Sequence, residues 1–243
     1  MPRFFVEPSA LCGDTAFLTG DNADHARVLR LRPGEEVILC AGDGREHVCA
    51  WEGFSEGTAR LSVALTRPVT SEPRLRVTVL MAYAKSDKLE HVIQKSVELG
   101  AAAIAAFPSE RCVSRPDPST VKKKLPRWQS IALSAAEQSG RGVVPTVSVL
   151  PDFDSALSLA ASTALPLFFY ENEETLHLHH CLAAGIPDSA CLVTGPEGGF
   201  SPQEVRRAEE AGLRSCSLGK RILRCETAPL CALSALLYAA GEL

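Results

Sequence analysis

Two short segments of this 243-residue chain combine glycine with polar and basic side chains in a way that suits ligand binding. They are Thr194-Gly195-Pro196-Glu197-Gly198-Gly199 and Leu218-Gly219-Lys220-Arg221-Ile222-Leu223-Arg224. The glycines at 195, 198 and 199 leave main-chain N–H and C=O groups uncovered, so a flat ligand such as an adenine ring can approach and be read by backbone hydrogen bonds. Leu218, Gly219, Ile222 and Leu223 offer apolar walls to the same ligand. A lone Gly-Gly pair is more often a tight strand-to-helix turn. Two such loops at matching positions in the fold shift the balance toward one shared site.

Other chemistries find less support. Gly219-Lys220 has the Gly-Lys pair of a phosphate-binding P-loop, but that loop needs a glycine where Arg214 stands and a Ser or Thr where Arg221 stands. No Gly-x-Gly-x-x-Gly fingerprint follows a strand and no Gly-x-Ser-x-Gly elbow occurs, which argues against Rossmann dehydrogenase and serine hydrolase chemistry. His25 and His91 stand alone. His177, His179 and His180 with Cys181 gather metal-ligating types, but adjacent residues project in diverging directions and no second ligand group accompanies them. That cluster reads as a polar surface segment, and no metal is expected.

The composition is that of an ordinary folded chain, 46% hydrophobic and 22% charged, with 17 glycines and 16 prolines, so disorder and fibrous architectures are excluded. No apolar run approaches the roughly 18 residues that span a bilayer, and the start, Met1-Pro2-Arg3-Phe4-Phe5-Val6, lacks the pattern of a signal peptide. The nine cysteines are odd in number and contain no Cys-x-x-Cys, which fits buried thiols in a reducing compartment. A cytoplasmic protein with no membrane partner is expected. Net charge is -4, yet the charge is unevenly placed: residues 71–145 carry 12 basic and 7 acidic groups. Arg27, Arg30 and Arg32 cluster after His25, and Lys85, Lys88, Lys95, Arg111, Arg115, Lys122, Lys123, Lys124, Arg127 and Arg141 crowd the middle segment. Such density suits a phosphate backbone; solvated helix faces with i,i+4 pairs are the plainer reading.

These residues must be positioned by two kinds of structure. Over the first 70 residues the pattern gives short strands at 3–6, 37–41, 46–51 and 60–65 with a turn at Asp43-Gly44, a small β-barrel or sandwich. A linker is expected from Arg67-Pro68 to Glu72-Pro73. Strands and helices then alternate. A strand from Leu75 precedes a helix whose Leu89, Val92, Ile93 and Val97 share a face and which Gly100 ends. There follow a strand at 102–107, a helix at 119–138, a strand at 146–149, a helix from Asp152, and strands at 167–170 and 191–194. Ser201-Pro202-Gln203-Glu204 reads as a capping box, and a strand at 214–218 and a helix at 228–240 complete the chain. Alternating βα units imply a mostly parallel sheet, and both glycine loops fall at carboxyl ends of its strands, where ligands bind.

Five segments then resemble one family closely. They are His25-Ala26-Arg27-Val28-Leu29-Arg30-Leu31-Arg32-Pro33-Gly34, the stretch from Lys85 to Glu98-Leu99-Gly100, Arg127-Trp128 with residues 136–141 and Pro145, residues 194–201, and Leu218 through Arg224-Cys225-Glu226-Thr227-Ala228. Together they are similar to the RsmE family of SPOUT-superfamily methyltransferases, which modify N3 of a uridine in 16S ribosomal RNA of the small subunit. The match runs in order along nearly the whole chain. It departs at Cys225, where the family commonly has alanine, and at Pro229, tolerated in a first helical turn.

The resemblance implies an α/β architecture: a PUA-like β-barrel for RNA binding at 1–70, then a SPOUT domain at 74–243 with a parallel sheet and a deep trefoil knot. It implies a homodimer, S-adenosyl-L-methionine as cofactor, and 16S rRNA, within the small ribosomal subunit, as partner. Thr194, Gly195, Pro196, Glu197, Gly198, Gly199, Leu218, Gly219, Ile222 and Leu223 are its expected cofactor residues. Arg224 is expected to favour the N3 anion of the uridine, and Glu226 to serve as base, as the group orienting Arg224, or as a structural ion pair. The expected RNA contacts are Arg3, His25, Arg27, Arg30, Arg32, Lys85, Lys95, Arg115 and Arg141. Two other readings stay open, a catalytically silent RNA-binding or ribosome-assembly protein and a SPOUT enzyme acting at another RNA site; the intact loop motifs weigh against the first.

Overall fold

The computed structural model describes residues 1–183 and 185–243. They form two compact units, one of Met1–Glu72 with Ala136–Val144, the other of Pro73–Ala135 with Pro145–Leu243. The expected division placed 136–144 in the second domain. That stretch carries the last turn of a long helix and the loop after it, and nothing in an unbroken helical pattern marks where a helix passes from one packing partner to another.

The first unit holds β1 (Arg3–Phe5), β2 (Leu11–Cys12), β3 (Thr15–Leu18), α1 (Gly20–Leu29), β4 (Glu36–Cys40), β5 (Arg45–Ser55) and β6 (Thr58–Pro68). The strands make one sheet in the order β1-β4-β5-β6-β3-β2, antiparallel except for β1 beside β4. Phe4, Leu18, Leu39, Trp51 and Leu61 form its core with Ala23 and Ala26. The β5–β6 hairpin closes on Glu56 and Gly57, both with positive φ (48° and 81°), the two-residue turn whose twist matches that of paired strands. Three features differ from expectation. α1 is absent from the sequence reading because its buried face is only two alanines, which leave no apolar stripe. The short β2 and β3 were not expected either. β6 continues through Pro68, so the first two residues of the expected linker belong to a strand.

The second unit holds β7 (Arg76–Ala82), α2 (Lys88–Leu99), β8 (Ala103–Phe107), α3 (Pro118–Ser139) through Ala135, β9 (Thr146–Val149), α4 (Phe153–Ala161), β10 (Leu165–Phe169), α5 (Leu178–Leu182), β11 (Ser189–Thr194), α6 (Pro202–Glu210), β12 (Arg214–Cys216) and α7 (Thr227–Ala239). Its sheet runs β12-β10-β11-β7-β8-β9 and every pairing is parallel. Buried strands such as β7, with Val77, Val79, Leu80 and Met81 fully covered, read as near-continuous apolar runs, as expected for a sheet buried on both faces. The strand order puts β10 between β11 and β12, so the chain leaving β10 emerges between the two glycine loops. No helix among the described residues is long and apolar enough to cross a membrane.

Candidate cofactor and active site

A cavity of about 510 Å³ opens at the carboxyl ends of β10, β11 and β12, within the size range of small-molecule sites. Three chain segments line it, residues 169–171, 194–199 and 216–225, with Lys88 and Ala228. All the expected cofactor residues lie on this wall.

The first loop is held from below and behind. Thr194 Oγ1 donates to the Leu80 carbonyl at 3.2 Å, fixing the end of β11 to β7. The Gly199 N–H donates to the Pro196 carbonyl at 3.0 Å and closes a tight turn, with Gly199 at φ 64°. The expected capping box is present: Ser201 Oγ accepts from the Glu204 N–H, and Glu204 Oε2 accepts from the Ser201 N–H at 2.9 Å. The buried Glu204 also receives Ser109 Oγ at 2.9 Å and the Glu110 N–H at 2.8 Å through its other oxygen. Phe200 packs on Phe168 with ring centroids 4.3 Å apart.

The glycines serve neighbours in the protein as well as open space. A Cβ on Gly195 would sit 3.2 Å from the Phe200 ring, and one on Gly198 would sit 3.1 Å from the Arg111 carbonyl and Cβ. A Cβ on Gly199 would run into the Glu171 carboxylate. In the second loop Gly219 has open space around it but a φ of 108°, a conformation other residues rarely adopt. The Gly219 N–H donates to Ser217 Oγ at 3.1 Å, and the Arg224 carbonyl accepts the Thr227 and Ala228 N–H groups at 2.8 and 3.0 Å, starting α7. Leu223 is half-buried, whereas Ile222 is 85% exposed, more than an apolar wall requires.

Lys88, at the start of α2, joins the two loops. Its ammonium donates to Glu197 Oε1 at 3.1 Å and lies 3.4 Å from Glu226 Oε2. The Lys85 N–H adds a second bond to Glu197 Oε1 at 2.9 Å. The Cys225 thiol donates to Glu226 Oε2 at 3.2 Å. Burial works to raise the carboxyl of Glu197, but the Lys85 N–H, its own backbone N–H and the Lys88 ammonium outweigh it and hold the group below its ordinary value. Burial likewise opposes, and its own backbone N–H, Cys225 and Lys88 override, for Glu226, also held low. The hydrogen bond to Glu197 raises Lys88. Cys225 is pushed up to about 12, chiefly by burial, so it is an inert filler and not a reactive thiol. Arg224 is exposed on the cavity wall, and its guanidinium bonds to none of the described residues.

The expected RNA contacts fall into three groups. Arg3 and Arg141 require correction. Arg3 is buried and pairs with buried Glu46 at 2.6 Å, and Arg141 is buried and pairs with Glu72. Desolvated guanidiniums already matched to carboxylates cannot also reach a phosphate. Arg115 is turned to its own chain, donating to the Ser109, Glu110 and Cys112 carbonyls, and Lys95 holds both oxygens of Glu98. His25, Arg27, Arg30, Arg32 and Lys85 are exposed, with Arg27 stacked 4.4 Å over the Phe54 ring. His177, His179 and His180 lie close together, ring centroids 3.9 to 5.8 Å apart. Among the described residues no group of three or more His, Cys, Asp or Glu could hold a metal ion.

Two cavity residues escaped the sequence reading in their present roles. Lys88 was one cation among many, and its partners lie 109 and 138 positions away. Glu171 lies two residues past the end of β10. Its position beyond the carboxyl end of a buried strand was the available signal.

Comparison with known proteins gives a consistent picture. Residues 71–237 match the model of an RNA methyltransferase domain and residues 18–60 that of an RNA methyltransferase PUA domain. The ribosomal RNA small subunit methyltransferase E of Bacillus subtilis is 35% identical, covering 98% of this chain and 96% of its own. The Mycobacterium tuberculosis protein of that name is also 35% identical, over 96% and 89%. Among solved structures, ribosomal RNA small subunit methyltransferase E from Neisseria gonorrhoeae bound to S-adenosyl methionine superposes with a TM-score of 0.82 at 35% identity, covering 98% and 97%. A Legionella pneumophila protein in complex with the same cofactor gives 0.87 at 31%, over 98% and 97%.

Proposed function

The chain belongs to the ribosomal RNA small subunit methyltransferase E family, and from that premise we propose that it transfers a methyl group from S-adenosylmethionine to N3 of a uridine in 16S ribosomal RNA. The observation that carries this reading is the cavity itself: two glycine loops and the end of β10 enclose it, and an exposed arginine stands on its wall. The residues present fit the cofactor. Backbone groups of 194–199 and 218–223 face a space of ligand size, and the glycine at 199 lets main chain and the Glu171 side chain meet there. Bound, the cofactor supplies a methyl group on a positively charged sulfonium, an electrophile needing no metal.

Uridine N3 carries a proton at neutral pH and lies on the Watson-Crick edge, so the base must be unpaired and splayed out, and the proton must leave. Arg224 answers that requirement. Its guanidinium, bonded to none of the described residues, faces the uridine carbonyl oxygens and favours the developing N3 anion by electrostatic preorganisation. Glu226 is already engaged by the Lys88 ammonium at 3.4 Å and the Cys225 thiol at 3.2 Å, so its carboxylate is not free to take the proton. We assign it a positioning role, steadying the turn between Arg224 and α7 through Lys88. The exposed His25, Arg27, Arg30, Arg32 and Lys85 supply RNA contacts. A homodimer, a trefoil knot around the cofactor loops, the assembled small subunit as substrate and a cytoplasmic location belong to the same reading.

The test is to incubate the protein with methyl-labelled cofactor and small subunits lacking the modification, digest the RNA and identify the labelled nucleoside. N3-methyluridine at one position supports the proposal. Cofactor binding with no RNA labelled contradicts the substrate, and no cofactor binding contradicts the enzyme.

A further inference from the structure

Two carboxylates line the cavity, Glu171 and Glu197. Glu197 is committed: Lys88 and the Lys85 N–H occupy it. Glu171 is exposed and makes no hydrogen bond or ion pair with any described residue. Its backbone is nevertheless fixed. On one side the Tyr170 N–H donates to the Cys216 carbonyl at 3.3 Å, tying the segment to the end of β12. On the other the Glu173 N–H donates to the Tyr170 carbonyl at 3.2 Å, and Glu173 Oε1 accepts from the Thr175 and Leu176 N–H groups. The carboxylate itself lies over Gly199, in the place a side chain there would need. A charged group is thus held, without a partner, at the point where the strand between the two loops ends.

We propose that Glu171 binds the α-ammonium of the cofactor's methionyl end, an assignment that rests on the function proposed above. The charges on the page favour this group. The other lining carboxylate is neutralised by Lys88, so Glu171 is the anion left to meet a cationic ligand. An ammonium offers three N–H donors to a carboxylate, a charge-assisted bond, whereas a sulfonium offers none. The loops, by contrast, present main-chain groups suited to the uncharged adenine.

Calorimetric titration of wild type and Glu171→Gln with three ligands tests the assignment. S-adenosylmethionine and S-adenosylhomocysteine both carry the ammonium, and 5′-methylthioadenosine keeps the adenine and ribose but lacks the amino acid. In the variant both ammonium ligands are expected to bind about tenfold more weakly, with methylthioadenosine changed less than twofold. Glu171→Asp, which keeps the charge, is expected to fall between wild type and Gln for the ammonium ligands and guards against a loss caused by misfolding. Equal loss for all three ligands places the contact on the ribose and overturns the proposal. Loss for S-adenosylmethionine alone places it on the sulfonium, and no loss removes the contact; both overturn it. A wild-type protein that binds none of the three contradicts the proposed function instead.

Discussion

The ammonium of Lys88 lies 3.1 Å from Glu197 Oε1, a contact between the start of α2 and the tip of the first glycine loop. The same ammonium, 3.4 Å from Glu226, reaches the turn that follows the second loop. One cation therefore sets the spacing of the two walls between which the cofactor is proposed to bind.

Lys88→Ala removes that tie and leaves two carboxylates facing each other's field. Both groups are about a quarter exposed, so solvent screens much of the effect, and the loss is of order 1 kcal/mol. Cofactor affinity is expected to fall roughly fivefold, read by calorimetry, with little change in the thermal midpoint of the first unit. Unchanged affinity contradicts the clamp.

Arg224→Ala is expected to leave cofactor affinity within twofold and to lower turnover on small-subunit RNA by roughly a hundredfold or more, the size of effect seen when a preorganised charge is removed from a reacting centre. Single-turnover methylation and calorimetry on the same preparation separate the two. Wild-type turnover in this variant removes Arg224 from the chemistry.

Arg3→Met tests whether Arg3 serves the buried pair with Glu46 and not RNA. It leaves the buried Glu46 with only Arg67, at 2.9 Å, as ionic partner, and breaking a buried pair costs about 3 kcal/mol. Chemical denaturation is expected to show the first unit weakened by that order. Native protein of this variant is expected to bind RNA as tightly as wild type. Weakened RNA binding with unchanged stability reverses the assignment.

Acid stability follows from the carboxyls held low. Glu46, Glu197 and Glu226 all lie below their ordinary value of 4.5 in the folded protein. Their contribution is complete above about pH 4.5 and is lost as pH falls through the depressed folded values. Glu137, raised by burial, works in the opposite sense. Thermal midpoints are expected to stay level or rise slightly from pH 7 to 5, the rise coming from Glu137, and to drop below 4.5, with a shallower drop in Lys88→Ala. A drop of equal steepness in that variant shows that the Lys88 pairs carry none of the acid sensitivity.

How much of this was legible beforehand depended on the range of the interaction. The two glycine loops could be read because glycine and strand ends are local signals, and the capping box at Ser201 and Glu204 likewise. The Lys88 clamp could not, since its partners come together only when β11, α2 and α7 are assembled. Arg3 and Arg141 read as RNA contacts because an arginine's burial depends on a distant carboxylate that the sequence does not mark. The same limit hid α1, whose buried face is two alanines.

The most direct test of the central claim is nucleoside analysis of small-subunit RNA from cells lacking this gene, with the gene restored in wild-type and Arg224→Ala forms. The account predicts that one N3-methyluridine disappears on deletion, returns with the wild-type gene and stays absent with the variant at equal protein level. An unchanged N3-methyluridine signal in the deletion strain, or its full return with Arg224→Ala, contradicts it.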